Sequence, residues 1–296
     1  MRSRIGSVSR IIFLKLGGSL ITDKTKPYTP ILGSMERLAR EIGSVLARKP
    51  ALRLVIGHGS GSFGHYAVKE FLAPHPYNPA QAASDKGPQP HWRGFAEVWY
   101  RASQLNRYVV DALHAAGIAV MSFPPSAMAS AEEGRIKAWD TSRLETALDA
   151  GLVPVIYGDI AFDPVRGDTI LSTEMLMYYL ARQLNPGSIL LAGLEAAVWA
   201  DFPRRQERVE KITTAGFDAL SGQIGGSHGT DVTGGMRSKV EEMLELVRQL
   251  PDVSVQIFSG EEPGNVEKAL QGHVLGTLIE SDHLGERGDG KPLPNL

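Results

Sequence analysis

Leu54-Val55-Ile56-Gly57-His58-Gly59-Ser60-Gly61-Ser62-Phe63-Gly64-His65 sets a short apolar run directly before a glycine-rich turn that a histidine closes. A backbone so free of side chains lets several N–H groups converge on an anion, so phosphate is the first ligand class it suggests. His65 adds a titratable donor at the rim of the turn. Gly59 to Gly64 also satisfy G-x-G-x-x-G, a dinucleotide fingerprint that is weak when it stands alone. The rest of the chain has to decide.

The dinucleotide reading puts the fingerprint on the second strand, and it asks for an acidic residue closing a following strand about 20 residues later. Asp85 is near that distance but lies in a proline-rich stretch. That reading also leaves the first strand unexplained. Ile11-Ile12-Phe13-Leu14-Lys15-Leu16 is an apolar run with one lysine inside it, closed by Gly17-Gly18-Ser19. A lysine in a buried strand costs several kcal/mol unless an anion compensates it; the alternative is an edge strand whose lysine reaches solvent. No G-x-x-x-x-G-K-[ST] loop occurs.

At 296 residues and 43% hydrophobic, the chain can bury one large core or two modest lobes. A net charge of -2 gives no global field for nucleic acid or an anionic membrane, so any anion site is local. The absence of cysteine excludes disulfides, thiolate nucleophiles, iron–sulfur clusters and thiolate zinc sites, and fits a reducing compartment. Met1 to Arg10 is basic and serine-rich without the apolar h-region of a signal peptide after it, and no run approaches a membrane span. We read it as a frayed arm on a cytoplasmic protein.

Short apolar runs bounded by glycine alternate with helix-period segments, the pattern of an α/β chain with a largely parallel sheet. Strand-like runs recur at 118–123, 152–157, 188–191 and 253–258. Helices are expected after Ser34 as N-cap, from Gly94 to a stop at Gly117, and near 141–150, 173–184 and 236–250. Residues 159–172 read as a β-hairpin turning at Arg166-Gly167. Two stretches resist assignment, 74–90 and 215–235, and both have the length of lids or surface excursions.

The features that carry chemistry share one logic, the neutralisation of phosphate charge. Lys15 stands before one glycine turn and Lys24 past it. The second turn adds His65, and Gly234-Gly235 opens a helix with Lys239 in its first turn. Each residue alone is unremarkable. Together they suit in-line phosphoryl transfer between two phosphate-bearing molecules, which needs positioning and charge compensation more than a covalent nucleophile.

The set Lys15-Leu-Gly-Gly-Ser19, Lys24, His58-Gly-Ser-Gly-Ser-Phe-Gly-His65, Tyr157-Gly158-Asp159 and Asp231-Val-Thr-Gly-Gly-Met-Arg-Ser-Lys239 resembles the amino acid kinase superfamily, and more narrowly its isopentenyl phosphate kinase branch. Lys-x-Gly-Gly-Ser marks the superfamily; Ser-Phe-Gly-His marks that branch and its relative, fosfomycin resistance kinase. The resemblance implies a three-layer α/β/α sandwich with a mainly parallel central sheet. It implies a single domain over 1–296, with an acceptor lobe at about 11–160 and a nucleotide lobe at about 161–296. His65 would hydrogen-bond the acceptor's phosphate, with Gly59 and Gly158 lending backbone contacts and Gly64 also on the acceptor. Lys15 and Lys24 would bridge transferring and leaving oxygens, Lys24 as transition-state stabiliser. Gly17, Gly18, Ser19 and Ser60 would hold the nucleotide phosphates, with Gly235 and Lys239 acting from the far side. Asp159 would orient the lysines by its charge, or be a turn aspartate. ATP is the implied co-substrate, Mg2+ arrives with it without a dedicated protein cage, and a homodimer is implied.

Three departures from the family pattern stand out. Ser60 replaces the middle glycine of the usual His-Gly-Gly-Gly. Gly193-Leu194-Glu195-Ala196-Ala197-Val198-Trp199 stands where relatives carry Asp-Val-Asp-Gly-Val-Tyr near the adenine. Glu174, in Ser172-Thr173-Glu174, stands where relatives tend to show an aspartate; it substitutes for that residue or serves only the helix N-terminus. The expected activity is ATP-dependent conversion of isopentenyl phosphate to isopentenyl diphosphate. Phe95, Val98, Trp99 and Ala102 are candidates to line the tail pocket, one or two of them at most. Rival readings are a fosfomycin-type phosphonate kinase and a non-catalytic nucleotide-binding protein. No nucleic-acid or membrane partner is expected.

Overall fold

A computed structural model of the chain describes residues 10–79, 90–217, 235–282 and 284. The basic arm before Arg10, most of the two lid candidates, and Asp231 to Gly234 of the last motif lie outside these residues. The strands in chain order are β1 (Ile12–Leu16), β2 (Leu54–His58), β3 (Val120–Ser122), β4 (Ala129–Glu132), β5 (Arg135–Trp139), β6 (Val153–Tyr157) and β7 (Asp159–Asp163). They continue with β8 (Gly167–Leu171), β9 (Ser188–Gly193), β10 (Val198–Trp199), β11 (Arg208–Val209), β12 (Lys211–Thr213), β13 (Ser254–Ser259) and β14 (Thr277–Glu280).

One eight-stranded sheet has the order β12-β14-β13-β9-β1-β2-β6-β3. Every neighbouring pair in it is parallel except β13 with β14. Helices α1 (Gly18–Ile21), α2 (Leu32–Arg48), α3 (Gly61–Ala67) and α4 (Pro90–Ala115) come from the first part of the chain. Side chains alternate along β1, so Ile12, Leu14 and Leu16 enter the core shared with α2 and α4. Phe13 faces the opposite core, shared with helices Thr173–Leu184 and Gly235–Gln249. Both sheet faces are thus covered, which is why the central strands read as nearly continuous apolar runs. The result is the expected α/β/α sandwich.

The same alternation puts Lys15 on the face of Phe13, under the start of helix Thr173–Leu184. Gly57 lies beside Lys15 in the register, and a Cβ there would come 2.6 Å from Met177 Cε and 2.7 Å from Thr173 Cγ2. Its bare backbone lets that helix approach the sheet.

Strand β1 is the switch point: the chain builds β2, β6 and β3 on one side, then crosses to β9 on the other. In such sheets ligands bind beyond the carboxyl ends of the strands at the switch. The register aligns Tyr157, His58, Leu16 and Ala192 in a row. The next residue in each strand is glycine: Gly158, Gly59, Gly17 and Gly193.

The hairpin of β7 and β8 forms as read from the sequence, with Asp163 paired to Gly167. The long helix reaches further back than Gly94, to Pro90, and ends before Gly117. Ser34 is not an N-cap. Helix α2 already begins at Leu32, and the Ser34 hydroxyl donates to the Leu20 carbonyl at 2.8 Å, tying α2 to the first glycine turn. The β4–β5 hairpin was not anticipated, although its turn, Glu133-Gly134, has the positive φ values (52° and 82°) that such two-residue turns require.

Candidate active site

The two glycine turns pack against each other so closely that no side chain fits between them. A Cβ on Gly18 would lie 2.6 Å from the Gly61 nitrogen, and one on Gly61 would lie 2.1 Å from Thr22 Oγ1. Thr22 locks the contact: its hydroxyl donates to the Gly18 carbonyl at 2.7 Å and accepts from the Ser62 N–H at 2.9 Å. Ser60 is accommodated by a second glycine, since a Cβ on Gly64 would fall 2.2 Å from the Ser60 Oγ. The departure from His-Gly-Gly-Gly is therefore matched within the same turn.

The glycines divide into two kinds. Gly17 donates its N–H to Ala192, Gly59 to Leu16 and Gly158 to His58, at 2.8, 3.0 and 3.0 Å. Gly59 and Gly158 therefore have no N–H to lend an acceptor, contrary to the expectation; they contribute room. The N–H groups of Gly18, Ser19, Ser60 and Gly61 find no backbone acceptor among the described residues and remain for an anion.

Lys15 and Glu174 are 8% and 7% exposed, and the Lys15 ammonium donates to the Glu174 carboxylate. Burial pulls the lysine pKa below its ordinary value, Glu174 opposes it, and the nearby charge of Lys239 adds to the lowering. Burial alone would raise the carboxyl pKa of Glu174; the charges of Lys15 and Lys239 outweigh it and hold it below the ordinary range. Glu174, which the sequence left between two roles, is thus the carboxylate on Lys15. Asp159, the residue expected to orient the lysines, instead accepts the backbone N–H groups of Ser126 and Ile160 at 3.0 and 2.9 Å. Burial raises its pKa, and those N–H bonds oppose the rise.

Around these groups lies a cleft of about 760 Å³. Its lining brings together Lys15, Gly17, Gly18, Ser19, Lys24, Gly59, Ser60, Gly64, His65, Gly158, Asp159, Gly235 and Lys239, the residues to which the sequence reading gave catalytic or phosphate-binding roles. Lys24 sits on a loop shaped by Asp23, whose carboxylate accepts the Thr25 N–H at 2.9 Å and hydroxyl at 2.6 Å. His65 stands in α3, one turn past Gly61. Of the four tail-pocket candidates, Val98 and Ala102 reach the cleft. Phe95 is buried against Phe162 in a separate cluster, and Trp99 faces outward. Glu195 and Arg205 also line the cleft and were not foreseen; their pairing depends on a loop that carries no periodicity.

His58 lies beneath the row of strand ends. It is fully buried, stacked on Tyr157 with centroids 5.5 Å apart, and its Nε2 meets Asn106 Oδ1 at 3.2 Å. Asn106 donates onward to Ser122 Oγ at 2.8 Å, and His58 Nδ1 meets the Gly59 carbonyl at 3.2 Å, so each ring nitrogen faces an oxygen. Burial pushes the imidazole pKa down from 6.5 to about 4. Between those values the unfolded chain binds a proton that the folded chain refuses, so stability must fall as pH drops. The loss attributable to this residue is roughly 3 kcal/mol by pH 4. Urea unfolding from neutral pH to pH 4 should therefore show a steeper decline in the wild type than in His58→Phe; parallel profiles would refute the assignment.

The sequence matches the model of the amino acid kinase family over residues 10–259. It is 34% identical over 278 residues to an isopentenyl phosphate kinase from Methanothermobacter thermautotrophicus, covering 92% of this chain and 100% of the relative. A second isopentenyl phosphate kinase, from Methanocaldococcus jannaschii, is 31% identical over 274 residues, with 91% and 98% covered. A solved structure described as isopentenyl phosphate kinase superposes with a TM-score of 0.74 at 31% identity, covering 91% of this chain and 99% of the other. The chain belongs to the amino acid kinase family, on the branch of the isopentenyl phosphate kinases.

Proposed function

We propose that the chain is an ATP-dependent kinase that converts isopentenyl phosphate to isopentenyl diphosphate. The observation that carries this reading is the composition of the cleft. Lysines and unpaired N–H groups lie at the strand ends, while Val68, Val98 and Ala102 form an apolar wall on the His65 side. A fosfomycin-type acceptor, with one methyl group and no longer tail, would use much less of that wall.

In this reading the acceptor lies on the β2 and β6 side of β1, with its phosphate against His65. The nucleotide lies on the β9 and β13 side, with its phosphates on the N–H groups of Gly18, Ser19, Ser60 and Gly61. An acceptor oxygen bonds to the γ-phosphorus as the bond to the β–γ bridging oxygen breaks, and ADP leaves. No general base is needed, because a phosphate monoester with a second pKa of about 6 is already ionised near neutral pH. What the protein supplies is fixed positive charge around the transferring group: Lys15 held at the strand end by Glu174, Lys24 from its loop, and Lys239 from its helix.

Mg2+ is expected with the nucleotide, where it neutralises phosphate charge. Among the described residues no group of three acidic, histidine or cysteine side chains is placed to hold a metal. Glu174 is committed to Lys15 and Asp159 to backbone N–H groups. Among the described residues neither carboxylate is therefore offered to the ion. A homodimer and a cytoplasmic location complete the reading; sedimentation checks the first. No described helix is long and apolar enough to cross a membrane.

A coupled assay for ADP over prenyl phosphates, fosfomycin and small carboxylates tests the proposal. Turnover of isopentenyl phosphate above all others is expected. Preference for fosfomycin would overturn the acceptor, and ADP release with no acceptor at all would overturn the kinase. A narrower test uses Ala102→Leu, which pushes an isobutyl group into the apolar wall. It should lower kcat/KM for isopentenyl phosphate at least about tenfold, the effect of misfitting a hydrophobic pocket. Val98→Ala should shift preference toward longer prenyl phosphates. Unchanged chain-length preference in both variants would move the tail elsewhere.

A further inference from the structure

The far side of the cleft holds a charged cluster to which the proposed reaction gives no role. After β9 the chain passes Leu194 and Glu195, then forms the β10–β11 hairpin, whose loop is closed by Asp201. That carboxylate accepts the N–H groups of Gln206 and Glu207 at 3.1 and 3.0 Å. Within the loop Arg205 has φ 56°, a left-handed conformation that a residue with a Cβ holds only when its surroundings fix it.

What fixes it is Glu195. The carboxylate accepts Arg205 Nε at 3.1 Å and Nη2 at 2.6 Å, and also the Trp199 indole N–H at 3.0 Å. The guanidinium carbon sits 5.4 Å from the centre of the Phe202 ring. Glu195, Trp199, Phe202 and Arg205 all line the cleft that holds Lys15 and Lys239.

Two uses of this arginine can be weighed. As a phosphate ligand it is poorly placed, since one edge of the fork is spent on Glu195 and the pair is close to neutral. As a platform it is well placed, since Glu195 and Phe202 hold a flat cationic face at a side chain that is 49% exposed. Such a face attracts an aromatic ring. Glu195 meanwhile accepts three donors, two on Oε2 and one on Oε1, so most of its acceptor capacity is spent within the clamp. A base at this end is therefore read by its face and area more than by its edge.

We propose that Arg205, clamped by Glu195, selects purine nucleotides by stacking, with little discrimination between adenine and guanine. This rests on the reading that the nucleotide occupies the β9 side of the cleft. The cluster falls in and after 193–199, the segment that departs from the usual adenine-side signature.

Calorimetric binding of ADP, GDP and CDP to the full chain with Mg2+ tests it, with no acceptor present. The wild type should bind ADP and GDP within about threefold of each other and CDP about tenfold more weakly. Arg205→Ala should weaken ADP and GDP about tenfold and CDP no more than about twofold, which erases the purine preference. Arg205→Lys keeps the charge and loses the plane, so it should behave as Arg205→Ala does. Wild-type affinity in either variant, equal losses for all three nucleotides, or strong rejection of GDP by the wild type would each overturn the proposal. If the expected pattern appears and isopentenyl phosphate is still not phosphorylated, the acceptor reading falls and the clamp stands. If ADP does not bind, both fall.

Discussion

Lys15→Met is expected to lower kcat/KM for phosphoryl transfer by about 10³, the scale on which fixed charges at a transferring phosphate act. The larger interest lies in what it does to Glu174. That carboxylate is buried and held in its charged form by the lysine beside it. Removing the cation leaves an uncompensated buried charge, and the fold should lose about 3–5 kcal/mol. Replacing both members by apolar side chains of similar size removes the uncompensated charge as well, which is often neutral or stabilising. Lys15→Met/Glu174→Met should therefore recover most of the lost stability in urea while remaining as inactive as the single variant. Recovery of stability without activity separates the lysine's role toward phosphate from its role in the core. A single variant within tenfold of wild-type turnover would remove Lys15 from the chemistry. A double variant as unstable as the single one would mean that the pair is not what holds this region together.

How much of this was legible in the sequence depended on which physical rule fixes each feature. Glycine after each apolar run marked the strand ends, and a parallel sheet with a central switch strand aligns such ends whatever the loops do. The cleft was therefore readable as a set of residues before any contact was known. The demand of Lys15 for an anion was readable only if β1 is a central strand, since on an edge strand the ammonium could reach solvent. Which carboxylate answers was not readable. Periodicity gives the face of β1 on which Lys15 lies, but nothing local says which helix covers that face, and Glu174 is 159 residues away. Asp159 looked equivalent because it follows a glycine at a strand end; one of its two backbone N–H bonds is local, from Ile160, but the other comes from Ser126, 33 residues away. The roles of Gly59 and Gly158 failed for a related reason. A glycine announces space, whereas the direction of its N–H follows from the sheet register. Ser34 shows the limit of cap signals: its hydroxyl was better used on a neighbouring element than on its own helix. The Glu195–Arg205 pair sits in irregular backbone, where no period exists to be read.

His65→Ala is the second large effect expected, and its kinetic form matters more than its size. The histidine stands on the apolar side of the cleft, one turn into α3, with Val68 in the next turn and Val98 and Ala102 across from it. In the proposed reading a donor there would hold the acceptor's phosphate before and during transfer alike, since the charge on the attacking oxygens disperses only modestly in a loose transition state. Truncating a hydrogen bond to a charged ligand removes about 2–3 kcal/mol, so kcat/KM for isopentenyl phosphate should fall about 10²-fold. Most of that fall should appear as a higher KM for the acceptor, with the KM for ATP little changed, because uniform binding is what has been lost. His65→Gln, which keeps an N–H donor, should recover part of it. Lys24→Ala should behave in the opposite way. In the proposed reading its ammonium, on an exposed loop at the cleft, acts on the transferring group, so its removal should lower kcat by a similar factor and leave both KM values near wild type. Steady-state kinetics with each substrate varied in turn distinguishes the two. If His65→Ala lowers kcat at unchanged acceptor KM while Lys24→Ala raises KM, the positions of acceptor and nucleotide in the cleft must be exchanged. If both variants turn over like the wild type, neither residue touches the reacting phosphates.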